Sequence, residues 1–206
     1  MAIKAILFDT EMVRAILEGR KSCTRRIVKP QQLIGMLPDK CKNGAPEKFL
    51  KEKKLMFKPY CDMTDIELIN TAYKAPYQPG DILYVRETWK KAPNGYYYYE
   101  DWQRNDIADV TKWKPSIRMP KGAARIWLRV TDVRVERLQD IDGKGCVKEG
   151  IEEEHLKYVG DEFVKGMFHD LWDSTVKKSD IDRYGWDANP WVWVIEFERC
   201  EKPEGV

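Results

Sequence analysis

The segment AARIWLRVTDVRVERL, residues 123–138, constrains the fold of this chain more than any other stretch. Up to residue 130, apolar side chains occupy every second position: Ile126, Leu128 and Val130. Beyond Thr131 and Asp132 the pattern continues one position out of phase, at Val133 and Val135. Because successive strand residues face opposite sides, a one-residue shift predicts a β-bulge or sharp bend at residues 131–132. A strand that is both long and bent is typical of a small barrel.

Further elements are predicted on both sides of this segment. Compact or alternating apolar runs indicate strands at 3–8, 79–89 and 189–200. Residues 10–19 have the apolar spacing of a helix, with a capping residue at Asp9 or Thr10 and a stop at Gly19. A second helix is predicted at 162–176, and its apolar side is expected to hold Phe163, Met167, Phe168 and Leu171.

The order of these elements predicts the fold class. Strands separated by long connections, with helices early and late, indicate a mixed α/β (α+β) chain without the regular βαβ rhythm of a parallel sheet. We expect a single domain over 1–206, built as a small mixed β-barrel with flanking helices. Residues 31–78 and 90–117 have irregular apolar patterns and are interpreted as two insertions. A short amphipathic helix is predicted at 46–57, inside the first insertion.

Composition excludes several classes of protein. The formal net charge is only +2, so affinity for nucleic acid would have to come from a local basic patch. Such a patch is present at Arg20, Lys21, Arg25, Arg26 and Lys29. No apolar run approaches the ~20 residues of a membrane span, and charged residues interrupt the N-terminal run, so neither a membrane segment nor a signal peptide is expected.

Cysteine and histidine usage points to a reducing environment and to chemistry without a metal. The five cysteines are widely spaced and odd in number, and they include no CxxC pair, so a disulfide framework and a zinc ribbon are not expected. The two histidines lack a carboxylate or cysteine at ligand spacing, and no phosphate-binding glycine motif follows a strand. We therefore predict a cytoplasmic protein with no metal and no cofactor.

The stretch GRKSCTRR, residues 19–26, is the strongest candidate for a site. Amide hydrolysis needs a nucleophile, a base and an acid for the leaving amine. The hydroxyl of Thr24 requires a base, and Lys21 could serve once burial or neighbouring cations favour the neutral amine. Cys23 is expected to be a buried structural thiol. The alternative is that the whole stretch is a solvated basic loop.

Six segments together resemble the ASCH domain family, and more narrowly its longer bacterial and prophage members. They are ILEGRKSCTRR, PGDILYVRETW, ARIWLRVTDVRVERLQDI, VKEGI, FHDLWDS and NPWVWVIEFE. The most specific pieces are the G-R-K-x-x-T-x-R core and the late EG. The resemblance implies a PUA-like barrel that binds RNA or a modified nucleoside in a cleft beside the barrel.

The resemblance also implies a reaction and the residues that perform it. Small members of the family are amidohydrolases that remove the acetyl group from N4-acetylcytidine with a lysine, a threonine and a glutamate. These residues correspond to Lys21 as base, Thr24 as nucleophile, and Glu149 as acid or orienting group. An extended chain would place Lys21 and Thr24 on opposite faces, so a shared site requires a turn between them.

Other residues are predicted to contact the nucleoside or RNA ligand, and other functions stay open. The candidate contacts are Arg20, Ser22, Arg25, Arg26, Glu87 and Arg118. The alternatives to an amidohydrolase are a non-catalytic RNA-binding module and a ribonuclease. The oligomeric state is open, with a monomer among the alternatives.

Overall fold

The computed structural model describes residues 1–29, 64–104 and 112–205. The helix predicted at 46–57 lies outside these residues. Within them the chain combines a five-stranded mixed sheet, a two-stranded hairpin and helices that flank the sheet. The predicted mixed α/β class is therefore confirmed.

The five-stranded sheet takes its strands from the whole length of the chain. In the order β1-β3-β6-β7-β2, these are Ile3–Leu7, Ile82–Arg86, Trp127–Arg137, Trp191–Cys200 and Cys23–Ile27. The pairing of β1 with β3 is parallel and the other three pairings are antiparallel. The hairpin is formed by β4, Trp89–Ala92, and β5, Gly95–Tyr98.

The predicted irregularity of the long strand is confirmed. The register of β6 with β7 shifts between Val130 and Asp132, so Val130 pairs with Phe197 while Asp132 pairs with Glu196. Leu128 and Val130 are buried before the shift, and Val135 is buried after it. The extra residue at the bulge returns the out-of-phase apolar side chains to the buried face.

The sheet curls until its two outer strands approach one another. Arg26 of β2 donates from Nη2 to the carbonyl oxygen of Leu7, at the end of β1, over 3.0 Å. Its guanidinium also lies 5.5 Å from the centroid of the Phe8 ring. A curled sheet bridged by a side chain is a partly open form of the small barrel that the sequence predicts.

Seven α-helices accompany the sheet in the described part of the chain. They are α1 Thr10–Leu17, α2 Asp65–Ala72, α3 Tyr99–Arg104, α4 Gly143–Lys148, α5 Glu153–Val159, α6 Asp161–Thr175 and α7 Ile181–Tyr184. Asp9 caps α1 as predicted, since its Oδ1 accepts from the Met12 N–H over 2.8 Å. None of the described helices is long and apolar enough to cross a membrane.

Two apolar clusters pack on the two faces of β7. Trp191, Trp193, Ile195 and Phe197 contribute to the main core, which also receives Ile16 of α1 and Ile69 of α2. Val192 and Val194 point to the other face and pack beneath α6. This division of β7 into two apolar faces explains why helices are needed on both sides of the curled sheet.

The buried side of α6 differs from the prediction. Val164, Phe168 and Trp172 are its buried residues, whereas Phe163 is 53% exposed. The expectation for Phe163 was therefore wrong, while Met167 and Leu171 are partly buried against the cluster. The helix presents an i, i+4, i+8 stripe to β7, and Phe163 lies about 100° away from Val164 around the helix axis.

Candidate functional site

A tight turn connects α1 to β2 and positions Lys21. Gly19 has a φ of 79°, which favours glycine, and it follows directly on the capping residue Glu18. The N–H groups of Arg20 and Lys21 then both donate to the carbonyl of Ala15, over 2.9 and 3.0 Å. The chain is therefore already reversed before β2 begins at Cys23.

Ser22 fastens this turn to two distant elements through its backbone. Its N–H donates to the carbonyl of Lys148 over 2.9 Å, and its own carbonyl accepts from the Phe197 N–H over 2.9 Å. The first bond places the end of α4 beside the start of β2, and the second holds the turn against β7. Glu149, which follows α4 directly, is thereby brought to Lys21.

Lys21 and Glu149 form a buried ion pair across 128 positions of sequence. Lys21 Nζ donates to Glu149 Oε2 over 2.7 Å and to the Glu149 carbonyl oxygen over 2.7 Å. The side chains of Lys21 and Glu149 are 0% and 5% exposed. Buried charges are tolerated only when they are paired and hydrogen-bonded, and both conditions are met here.

Arg25 holds the other oxygen of the same carboxylate. Its Nη1 donates to Glu149 Oε1 over 3.2 Å, and its Nη2 donates to Glu136 Oε2 over 3.3 Å. The guanidinium also lies 5.9 Å from the centroid of the Phe168 ring, under α6. The Glu149 carboxylate is thus clamped between an ammonium group and a guanidinium group.

Thr24 occupies the opposite face of β2 from Arg25. It pairs in register with Ile195 of the main core, whereas Arg25 pairs with Val194 of the second cluster. The residue is 2% exposed, and among the described residues its hydroxyl makes no hydrogen bond to Lys21 or Glu149. Lys21 Nζ lies 5.6 Å from the ring centroid of Phe8, which belongs to the same core as Ile195.

The remaining residues of the predicted basic patch have separate environments. Arg20 pairs with Glu18 over 2.6 Å and donates to the carbonyl of Gly150. Arg26 bridges to Leu7, as described above. Lys29 is exposed. The predicted basic patch therefore does not form one surface. Lys21 and Arg25 are in the buried ion-pair cluster, Arg20 and Arg26 bind backbone carbonyls, and Lys29 faces solvent.

Glu87 belongs to a second charged network. Arg125 donates to both oxygens of Glu87 over 2.9 Å and to both oxygens of Asp101 over 2.8 Å. Burial raises the pKa of Glu87 above its ordinary value, against the opposing effect of Arg125. Within the described residues, no hydrogen bond or ion pair joins this network to the Lys21–Glu149 pair. Arg118 is exposed on a short 3₁₀ turn.

Cys23 is buried, as predicted. Burial raises the pKa of its thiol to about 12, and the nearby Glu149 carboxylate acts in the same direction. Burial likewise raises the pKa of Cys146 to about 12. Both thiols are therefore protonated at neutral pH and unsuited to nucleophilic chemistry. Among the described residues, no group of three or more His, Cys, Asp or Glu side chains is placed to hold a metal ion.

Sequence reasoning missed Glu136, which shares Arg25 with Glu149. Glu136 pairs in register with Val192 of β7, whose side chain packs beneath α6. It therefore lies on the same side of the sheet as Arg25. The out-of-phase pattern after Thr131 was the available signal, because it assigns Glu136 to the face opposite Val135. The partner in β2 could not have been inferred from that pattern.

Comparisons with known proteins give one structural similarity. No family model matches the sequence, and no curated protein matches it. The chain is similar to a crystal structure of an ASCH domain from Lactobacillus crispatus JV V101, with 11% identity over 96% of this chain and 79% of that chain. The TM-score is 0.39, a level that carries no inference about family or activity.

Proposed function

We propose that the protein is an ASCH-type, PUA-like protein of bacterial or prophage origin that removes the acyl group from an N4-acylated cytidine or a similar nucleoside without a metal ion. The observation that carries the proposal is the buried contact of Lys21 Nζ with Glu149 Oε2 at 2.7 Å. These residues are far apart in sequence, and both belong to the set that the ASCH resemblance implies. Their convergence supports a shared catalytic role.

The proposed reaction uses three side chains. Thr24 Oγ attacks the acyl carbon and its proton passes to the neutral amine of Lys21. The bond between the acyl carbon and N4 then breaks, and the departing nitrogen takes up a proton to leave as the amine of cytidine. Water hydrolyses the resulting threonine ester, which releases the carboxylic acid and restores the hydroxyl.

Glu149 exchanges a proton with Lys21 in the proposed reaction. A proton that moves from the ammonium group to Glu149 Oε2 leaves a neutral amine beside a carboxylic acid, and that acid can protonate the leaving nitrogen. The hydrogen bond from Nζ to Oε2, of 2.7 Å, provides the path for such a transfer. Arg25 would hold the carboxylate in place through Oε1.

The test is the release of cytidine from N4-acetylcytidine, followed by chromatography. Wild type is expected to turn over, whereas Thr24→Val and Glu149→Gln, which preserve side-chain shape, are expected to lose at least about 100-fold in kcat. Thr131→Val is the matched control, since Thr131 is exposed at the bulge. Absence of turnover by a folded wild type, or equal rates in all variants, would contradict the proposal.

A non-catalytic RNA-binding module is the second candidate. It is favoured by the complete burial of the Lys21 side chain, because such a pair can simply fasten α1 and α4 to β2. If this second function is correct, the protein should bind RNA with an affinity that falls as salt is added, and no product should form. The ribonuclease alternative is tested by incubating RNA with the protein, with and without a divalent metal. A ribonuclease should produce shortened RNA fragments.

A further inference from the structure

Two clefts open along the face of β2 that carries Arg25, and Arg25 lines both of them. The mixed-charge cleft, of about 330 Å³, lies toward Cys23 and α4. The basic cleft, of about 310 Å³, lies toward Ile27, the end of α6 and α7. Neither cleft is lined by Lys21, Thr24 or Glu149.

The charges that line the two clefts differ sharply. The mixed-charge cleft has equal numbers of cations and carboxylates: Arg25, Arg134, Lys144 and Lys148 against Glu136, Asp140, Asp142 and Glu196. Among the described residues, the basic cleft has the cations Arg25, Arg26, Lys29 and Lys177 against the single carboxylate Asp180. An anion is therefore attracted to the second cleft and not to the first.

Arg25 is neutralised by Glu149 and Glu136, but the two lysines of the basic cleft are not neutralised by neighbours in the described part of the chain. In the mixed-charge cleft, Arg134 pairs with Glu196 over 2.8 Å and Lys148 pairs with Glu196 over 3.2 Å. Lys29 and Lys177 form no ion pair with any carboxylate of the described residues. Arg26 binds a neutral carbonyl and so keeps its full charge.

The wall of the basic cleft restrains Lys29. Lys29 Nζ lies 5.1 Å from the ring centroid of Tyr184, a contact that holds the ammonium group against α7. Trp172 and Tyr184 are both largely buried and form a rigid apolar base. Arg25 adds a buried Nε that has no hydrogen-bond partner among the described residues. A cation held in place against an apolar wall binds an anion better than a mobile one would.

We infer that the basic cleft is a second ligand site, which binds a phosphate group through Lys29 and Lys177. Lysine and arginine are the usual partners of phosphate oxygens, and a cleft of this volume accepts a group of nucleotide size. The phosphate can belong to a free nucleotide or to the backbone of RNA. The inference goes beyond deacylation, because the nucleoside substrate proposed above has no phosphate to place there.

The experiment compares ligands that differ only in phosphate. Calorimetric titrations use cytidine, cytidine 5′-monophosphate and a short oligocytidylate RNA. The double variant Lys29→Gln/Lys177→Gln is set against Lys144→Gln/Lys178→Gln, which removes the same charge from exposed positions outside the basic cleft. All four lysines are exposed, so both variants should fold.

A phosphate-dependent affinity, at least about tenfold above that for cytidine and lost only in the Lys29/Lys177 variant, is the expected result. Binding of the monophosphate identifies a nucleotide ligand, and binding of the oligonucleotide alone identifies a phosphodiester. For the oligonucleotide, the salt slope of log K should fall by ~1.4 in the Lys29/Lys177 variant. Equal affinities for all three ligands, no binding, or the same loss in both variants would overturn the inference. Turnover of unphosphorylated N4-acetylcytidine is measured separately. The proposed deacylase activity and the proposed phosphate site can therefore be disproved independently of each other.

Discussion

Burial decides what each side chain of GRKSCTRR does. Lys21 and Arg25 are buried and clamp Glu149, whereas Arg20 and Arg26 reach backbone carbonyls at the surface. Alternation along β2 sends Arg25 to the face beneath α6 and Thr24 to the main core. Neighbours in sequence therefore have different surroundings, and a single description as a basic loop does not fit the residues.

Cys23 and Cys146 should resist alkylation in the folded protein. With the pKa of each thiol raised to about 12, roughly one thiol in ten thousand is ionised at pH 8, and the thiolate is the reactive form. Peptide mapping after iodoacetamide treatment should find both thiols unlabelled in native protein and labelled in urea. Rapid native labelling of Cys23 would contradict its assignment as a structural thiol.

The raised pKa values of Cys23 and Cys146 also determine how the stability of the protein changes at alkaline pH. The folded-state pKa of each thiol exceeds the ordinary value of 9.0, so the contribution to stability is complete below pH 9.0 and is lost as the pH rises toward about 12. Cys23→Ala should therefore flatten the fall in stability over this interval.

The element that most directly supports the candidate site is the turn after α4. Gly150 has a φ of 114°, and a Cβ built on it would lie 3.0 Å from Ala15 Cβ and 3.6 Å from Lys21 Cβ. The close approach of this turn to α1 allows Lys21 to reach Glu149. Glycine is required there both for its conformation and for its size.

Gly150→Ala should destabilise the protein by about 1–3 kcal/mol, because it adds backbone strain and pushes α1 away from the turn. Gly166→Ala is the matched control, since Gly166 is exposed within α6 and its Cβ would meet nothing within 4 Å. The control should gain about 0.5–1 kcal/mol from helix propensity. Both values come from urea unfolding, and equal effects at the two positions would contradict this role of Gly150.

Across the whole molecule, charged side chains join elements that the sheet leaves apart. Arg125 precedes β6 and ties Glu87, after β3, to Asp101 of α3. Glu100 of α3 in turn pairs with Arg14 of α1 over 3.3 Å. The network connects the hairpin side of the molecule to the first helix without using the sheet.

Arg125→Met should cost about 3–5 kcal/mol at neutral pH, because it leaves the Glu87 carboxylate buried without its partner. Burial already raises the pKa of Glu87, and loss of the arginine raises it further. Below that raised pKa the group is neutral, so the deficit should shrink as the pH falls and grow as it rises. Thermal unfolding between pH 4 and pH 8 measures the trend, with Arg118→Met as an exposed control. A deficit independent of pH would count against a charged Glu87.

Local patterns in the sequence were sufficient for much of the secondary structure. The cap at Asp9, the bulge between Val130 and Asp132 and the two faces of β7 depend on residues within a few positions of one another. Helix and strand periods act over this range, so a linear reading detects them. The buried state of Cys23 was predicted on a different ground, because free cysteines are among the most buried residues in proteins.

Only the tertiary structure decided which distant groups meet. Phe163 was assigned to the wrong side of α6 because the buried stripe depends on where β7 lies, and the sequence does not state this. The partners of Arg25 and Arg125 depend likewise on the strand order and on the paths of long connections. The pairing of Lys21 with Glu149 was expected from a family resemblance and not from spacing, and the turns at Gly19 and Gly150 bring the two side chains together. Periodicity thus determined the elements of this protein, while contacts across more than a hundred residues brought together the residues of the candidate site.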